Sequence, residues 1–97
     1  MREEQAAKRY YVSGMVQGVG YRYFARGAAM RMGITGYVRN LRDGRVEIYA
    51  VALPAQLMAF RAELERGPRG SSVSSLTEEE ADVARRFTSA FLIDYDS

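Results

Sequence analysis

From Val12 to Arg22 the chain reads Val-Ser-Gly-Met-Val-Gln-Gly-Val-Gly-Tyr-Arg, with glycines at positions 14, 18 and 20. An apolar run (Tyr10, Tyr11, Val12) precedes this stretch and a segment of helical spacing follows it, so it reads as the turn between a strand and a helix. Three glycines this close together allow a tight turn that aims successive backbone N–H groups at one point. The helix that follows adds its own unpaired N–H groups and the positive end of its dipole. Arg22 stands in the first helical turn, where a cation works against that dipole unless an anion lies beside it. Its planar fork suits two parallel bonds to an oxyanion. The glycine turn thus makes a backbone cradle to which Arg22 can bring its fork, and phosphate is the compact oxyanion it fits.

Composition narrows the chemistry further. The 97 residues contain no Cys and no His, which removes disulfides, thiolate nucleophiles, imidazole bases and the common zinc ligand sets together. No carboxylates cluster at the cradle, so no metal and no cofactor are expected. Fourteen basic residues against twelve acidic leave a net charge of +2, too small to argue for a nucleic acid or a membrane surface as partner. No apolar run approaches the ~18 residues of a membrane span, and Met1-Arg2-Glu3-Glu4-Gln5 is no signal peptide, so a cytoplasmic protein is expected. At this length one domain over residues 1–97 can bury roughly 60–70% of its unfolded surface. A monomer is expected.

The elements that must position the cradle follow from periodicity. Residues 1–7 read as a flexible lead-in and Lys8 to Met15 as a first strand. Tyr21, Phe24, Ala25, Ala28 and Met32 form one apolar helical stripe, which Gly33 is placed to end. Ile34 to Leu41 and Val46 to Leu53 read as strands joined through Asp43-Gly44, a hairpin signal. In the second of these, Val46, Ile48 and Ala50 face a core while Glu47, Tyr49 and Val51 make a mixed face. Pro54 opens a second helix whose Leu57, Phe60 and Leu64 point inward, and Gly67-Pro68 stops it. Val73 and Leu76 suggest a short fourth strand. Thr77-Glu78-Glu79-Glu80 reads as a solvated acidic loop in preference to a helix cap, and the polar run Ser71 to Arg86 as a mobile loop. Phe87, Ser89, Phe91 and Ile93 alternate as a last strand, with 94–97 as a tail.

The order β-α-β-β-α-β predicts an α+β fold, a ferredoxin-like sandwich with one antiparallel sheet and two helices on one face. A right-handed β-α-β crossover makes the first two strands parallel with the third between them, so Asn40 ends its strand on the same edge as the glycine turn. Arg39, Arg42 and Arg45 read as a solvated hairpin end able to attract an anion. Tyrosines at 10, 11, 23, 37 and 49 are read as lining a half-buried sheet, since no basic stretch of the RNA-binding kind accompanies them.

Two motifs resemble a known family. Gly14-x-Val16-Gln17-Gly18-Val19-Gly20-Tyr21-Arg22 resembles the first signature of the acylphosphatases, and Gly36-Tyr37-Val38-Arg39-Asn40-x-x-x-Gly44-x-Val46 their second, in the family's order and spacing. Tyr21 stands where Phe or Met is usual, and Ala52 where the second signature ends in Gly. The resemblance implies metal-independent hydrolysis of an acyl phosphate to a carboxylate and inorganic phosphate, without covalent intermediate. It assigns the phosphoryl group to the amides from about Gln17 to Arg22 and to the Arg22 guanidinium, and the attacking water to Asn40. The small-molecule partners implied are the acyl phosphate and inorganic phosphate as product and competitive inhibitor. A non-catalytic anion-binding or regulatory module of the same fold is the alternative.

Overall fold

The computed structural model describes residues 4–95. Its elements in order are β1 (Ala6–Met15), α1 (Tyr21–Met32), β2 (Thr35–Asn40), β3 (Val46–Ala52), α2 (Pro54–Arg66), β4 (Ser72–Ala81), one 3-10 turn (Arg85–Phe87) and β5 (Phe91–Asp94). The strands form one sheet ordered β4-β1-β3-β2-β5. Pairs β1–β4, β1–β3 and β2–β3 are antiparallel, giving the expected α+β ferredoxin-like arrangement, with β3 inserted between β1 and β2. The added edge strand β5 runs parallel to β2.

One face of the sheet carries the main core. Tyr10, Val12, Val38, Val46, Ile48, Ala50 and Ala52 pack there against Tyr21, Ala25, Ala28 and Ala29 of α1 and Leu57, Phe60 and Leu64 of α2. The predicted stripe of α2 is therefore its core face, whereas on α1 Phe24 and Met32 are only partly covered and Ala29 takes the deeper place. Gly33 ends α1 in the left-handed conformation, its N–H turned back to the last helical carbonyls. The hairpin after β2 closes with Leu41 N–H donating to the Arg45 carbonyl at 2.8 Å.

The C-terminal third departs from expectation. Thr77 to Glu80 is neither a cap nor a loop: it lies within the ten-residue β4, paired along β1 from Ala7↔Ala81 to Met15↔Ser72. The reason is charge pairing across strands. Lys8 Nζ lies 2.7 Å from Glu78 and 3.1 Å from Glu80, and Arg61 of α2 reaches Glu78 at 2.5 Å. Lys8 first and Arg61 second hold the Glu78 carboxyl below its usual range. Most of the predicted mobile stretch 71–86 is thus sheet. The last strand is shorter than its alternation suggested, since Phe87 belongs to the 3-10 turn and pairing begins at Phe91.

Residues 82–87 fold over the sheet's second face, which is why β3 is buried on both sides. Tyr37 stacks on Tyr49 with centroids 5.5 Å apart, and Phe87 closes against both. The Tyr49 hydroxyl donates to the Asp82 carbonyl at 2.5 Å and accepts from Ala84 N–H at 2.7 Å. Of the expected lead-in, residues 1–3 lie outside the described residues while Ala6 and Ala7 already belong to β1; Asp94 of the expected tail closes β5, and residues 96–97 lie outside.

Candidate active site

The glycine turn leaves β1 through an irregularity. The β1–β4 register shifts between Ser13 and Gly14, and a Cβ on Gly14 would overlap the Ser72 carbonyl oxygen, so only glycine allows this approach. Val16 is buried and anchors the start of the loop; Tyr21 is buried and anchors its end. Between them Gly18 and Gly20 both have φ of 77°, with nothing within 4 Å of a Cβ built on either. Their requirement is one of backbone angle, and the outer side of the turn is open. Gly20 caps α1 without any side-chain hydrogen bond, and the first helical turn holds no acid. The helix bonds begin with Phe24 N–H donating to the Gly20 carbonyl at 3.0 Å, which leaves the preceding amides without helical acceptors.

The Tyr21 side chain turns away from this cradle. Its hydroxyl donates to the Leu64 carbonyl at 2.6 Å, and burial pushes the phenol's pKa well up. Only its backbone is available to the turn. Arg22 is half-buried: Nη1 donates to the Asp94 carbonyl at 3.4 Å, and Cζ lies 4.9 Å from the centroid of the Tyr95 ring.

Register brings Asn40 to the same end. Val46 pairs with both Val12 and Asn40, so Asn40 stands level with Val12, three residues before the end of β1. Arg39 is in register with Asp94, whose carbonyl meets Arg22. Side chains alternate along a strand, so Asn40 shares the helix side with the buried Val38, while Arg39 leaves on the other and donates to Glu47 at 2.7 Å. Asn40 Oδ1 is a buried acceptor that no donor among the described residues reaches. Arg45 is drawn aside by Asp43, Nε to Oδ2 at 2.9 Å, and by the Tyr11 ring.

These elements match known proteins throughout. The sequence pattern describing the acylphosphatases matches residues 8–93. The chain belongs to the acylphosphatase family. An acylphosphatase of Solibacter usitatus is 56% identical over 77 residues, covering 79% of this chain and 80% of that one. The structure of an acylphosphatase from Coxiella burnetii superposes with a TM-score of 0.88 at 33% identity, covering 94% of each chain. That of the Bacillus subtilis acylphosphatase gives 0.86 at 35% identity, covering 92% of this chain and 98% of that one.

Membership carries the family's activity, the hydrolysis of acyl phosphates, and so makes this chain an enzyme as its two motifs led one to expect. Gln17, Gly18, Val19, Gly20, Tyr21 and Arg22 form one continuous turn, and Asn40 is brought to the same end of the sheet. Sequence reasoning missed two features here. Asp94 and Tyr95 flank Arg22 from 72 and 73 positions away, for which no local signal exists. The Gln17 side chain is not solely a neighbour of the turn: Nε2 donates to the Leu41 carbonyl at 2.8 Å and the Arg45 carbonyl at 2.9 Å. Among the described residues no helix is long and apolar enough to cross a membrane.

Proposed function

We propose that this chain hydrolyses acyl phosphates by direct attack of water on phosphorus, with the phosphoryl group in the glycine turn and the water held by Asn40. The backbone amides from Gln17 to Arg22 and the Arg22 guanidinium meet the phosphoryl oxygens, where negative charge is concentrated in the ground and transition states. Asn40 Oδ1 accepts a hydrogen from the water and turns a lone pair towards phosphorus. The new bond joins water oxygen to phosphorus, and the bond to the acyl oxygen breaks with its electron pair. The carboxylate leaves unprotonated, because its conjugate acid has a pKa of about 4. Asn is no base, so the water's proton passes to a phosphoryl oxygen of the substrate. Products are a carboxylate and inorganic phosphate.

The observation that supports this reading is the buried, unpartnered Oδ1 of Asn40 at a strand end on the same end of the sheet as the cradle. A buried acceptor without a donor costs free energy, and a water between Asn40 and the substrate satisfies it. The test is benzoyl phosphate hydrolysis with inorganic phosphate as competitor. Competitive inhibition is expected, and Arg22→Ala should lose about 3 kcal/mol of transition-state stabilisation, roughly a hundredfold or more in kcat/KM. Arg22→Lys should recover little, since a point charge does not reproduce two parallel bonds. Near-normal turnover by Arg22→Ala would rule out this turn as the site.

A further inference from the structure

We propose that the Gln17 side chain is a positioning residue that fixes the distance between the phosphate cradle and the water held by Asn40. The inference rests on the reading of Asn40 given above and adds a second role to Gln17, whose backbone amide lies in the cradle.

The geometry is specific. An amide NH2 has two hydrogens, and the two of Gln17 go to two carbonyls of the hairpin that follows Asn40. Leu41 is the residue next to Asn40, and Arg45 is the partner that closes the hairpin. Each of these carbonyls already takes one backbone hydrogen bond, from Gly44 N–H at 3.2 Å and Leu41 N–H at 2.8 Å respectively. Gln17 therefore occupies the second acceptor position of both. The clamp joins the first residues of the cradle to the segment that carries the water-holding side chain, across 24 and 28 positions of sequence.

The cradle itself does not depend on this clamp. Its shape comes from the left-handed Gly18 and Gly20, and its ends are fixed by the buried Val16 and Tyr21. Loss of the Gln17 side chain should thus leave a cradle that binds phosphate but whose spacing to Asn40 is no longer held. Misplacement of a reactant by a small distance lowers rate far more than it lowers binding. The site also demands a donor. A carboxylate at position 17 would place negative charge against two carbonyl oxygens, so the near-isosteric Gln17→Glu should be no better than Gln17→Ala.

The experiment measures kcat for benzoyl phosphate and the inhibition constant of inorganic phosphate for Gln17→Ala and Gln17→Glu, alone and combined with Asn40→Ala. Gln17→Ala and Gln17→Glu should each lower kcat by about tenfold to a hundredfold while the phosphate constant moves less than about threefold. In the Asn40→Ala background, Gln17→Ala should cost less than about threefold more, because it acts only through Asn40. The proposal is overturned by an unchanged kcat in Gln17→Ala, by equal losses in both backgrounds, or by parallel loss of phosphate affinity. A Gln17→Ala chain that no longer melts cooperatively would show a folding role and also overturn it. Undiminished kcat in Asn40→Ala alone removes both readings, whereas a fallen kcat there with an unaffected Gln17→Ala removes only this one.

Discussion

The Arg22 guanidinium lies over the Tyr95 ring, 4.9 Å from its centroid, so the first turn of α1 is held by the residue that follows β5. The Tyr95 hydroxyl is in turn 2.7 Å from that of Tyr23 on α1. Two residues far apart in sequence thus hold the guanidinium that is proposed to meet the phosphoryl oxygens.

Removal of this ring should cost preorganisation of Arg22 but not its charge. An exposed cation–π contact is worth about 0.5–1 kcal/mol, so Tyr95→Ala should raise the inhibition constant of phosphate roughly two- to fivefold. Tyr95→Phe keeps the ring and should stay near the original value. Equilibrium titration with phosphate, followed by calorimetry, reads the difference; an unchanged constant in Tyr95→Ala would show that Arg22 orients itself.

Asn40→Ala separates binding from turnover. With Oδ1 assigned to the water and not to the phosphoryl group, kcat should fall by about 10²–10³ while the phosphate inhibition constant hardly moves. Steady-state kinetics with phosphate as competitor, on protein verified as folded by circular dichroism, is the check. Simultaneous loss of both constants would move Asn40 into the cradle.

Tyr21→Phe should lower stability without touching the chemistry. A helical carbonyl at Leu64 would accept from the N–H four residues on, but residue 68 is proline and has none. The Tyr21 hydroxyl fills that place at 2.6 Å. Its removal leaves a buried carbonyl unpaired, a loss of about 1–3 kcal/mol in urea unfolding, with kcat and KM preserved.

Stability should fall at alkaline pH. Burial pushes the phenol of Tyr10 up to about 12 and that of Tyr21 higher still. Unfolded, both titrate near 10, so above that pH the native state holds more protons than the unfolded one and stability declines as pH rises. The contribution is complete below about pH 10 and is lost towards and beyond 12. Urea midpoints between pH 8 and 11 should show the decline, and Tyr21→Phe should make it shallower.

The strand, turn and helix around the cradle were legible because their signals lie within a few residues. Glycines at 18 and 20, the stripe beginning at Tyr21 and the Asp43-Gly44 hairpin each state a local geometry. The acidic run at Thr77 to Glu80 was misread for the opposite reason. Its charges look solvated along the chain, and only the β1–β4 register shows that Lys8, and through α2 Arg61, meet them. Likewise Glu47, one of the residues given to a mixed sheet face, is buried, with Tyr37 and Arg39 both donating to its carboxylate.

The sequence by itself determined the chemistry available: an amide turn with the Arg22 guanidinium beside it, the Asn40 carboxamide at a strand end, and neither imidazole nor thiol. Tertiary structure alone decided how these are held relative to one another. The Gln17 clamp on the hairpin, the Tyr21 hydroxyl on Leu64 and the Asp94–Tyr95 seat of Arg22 join residues 24 to 73 positions apart. Periodicity reports which face of an element is apolar, but these contacts are hydrogen bonds and ring contacts whose partners exist only once strand register and helix packing have brought them within about 3–5 Å.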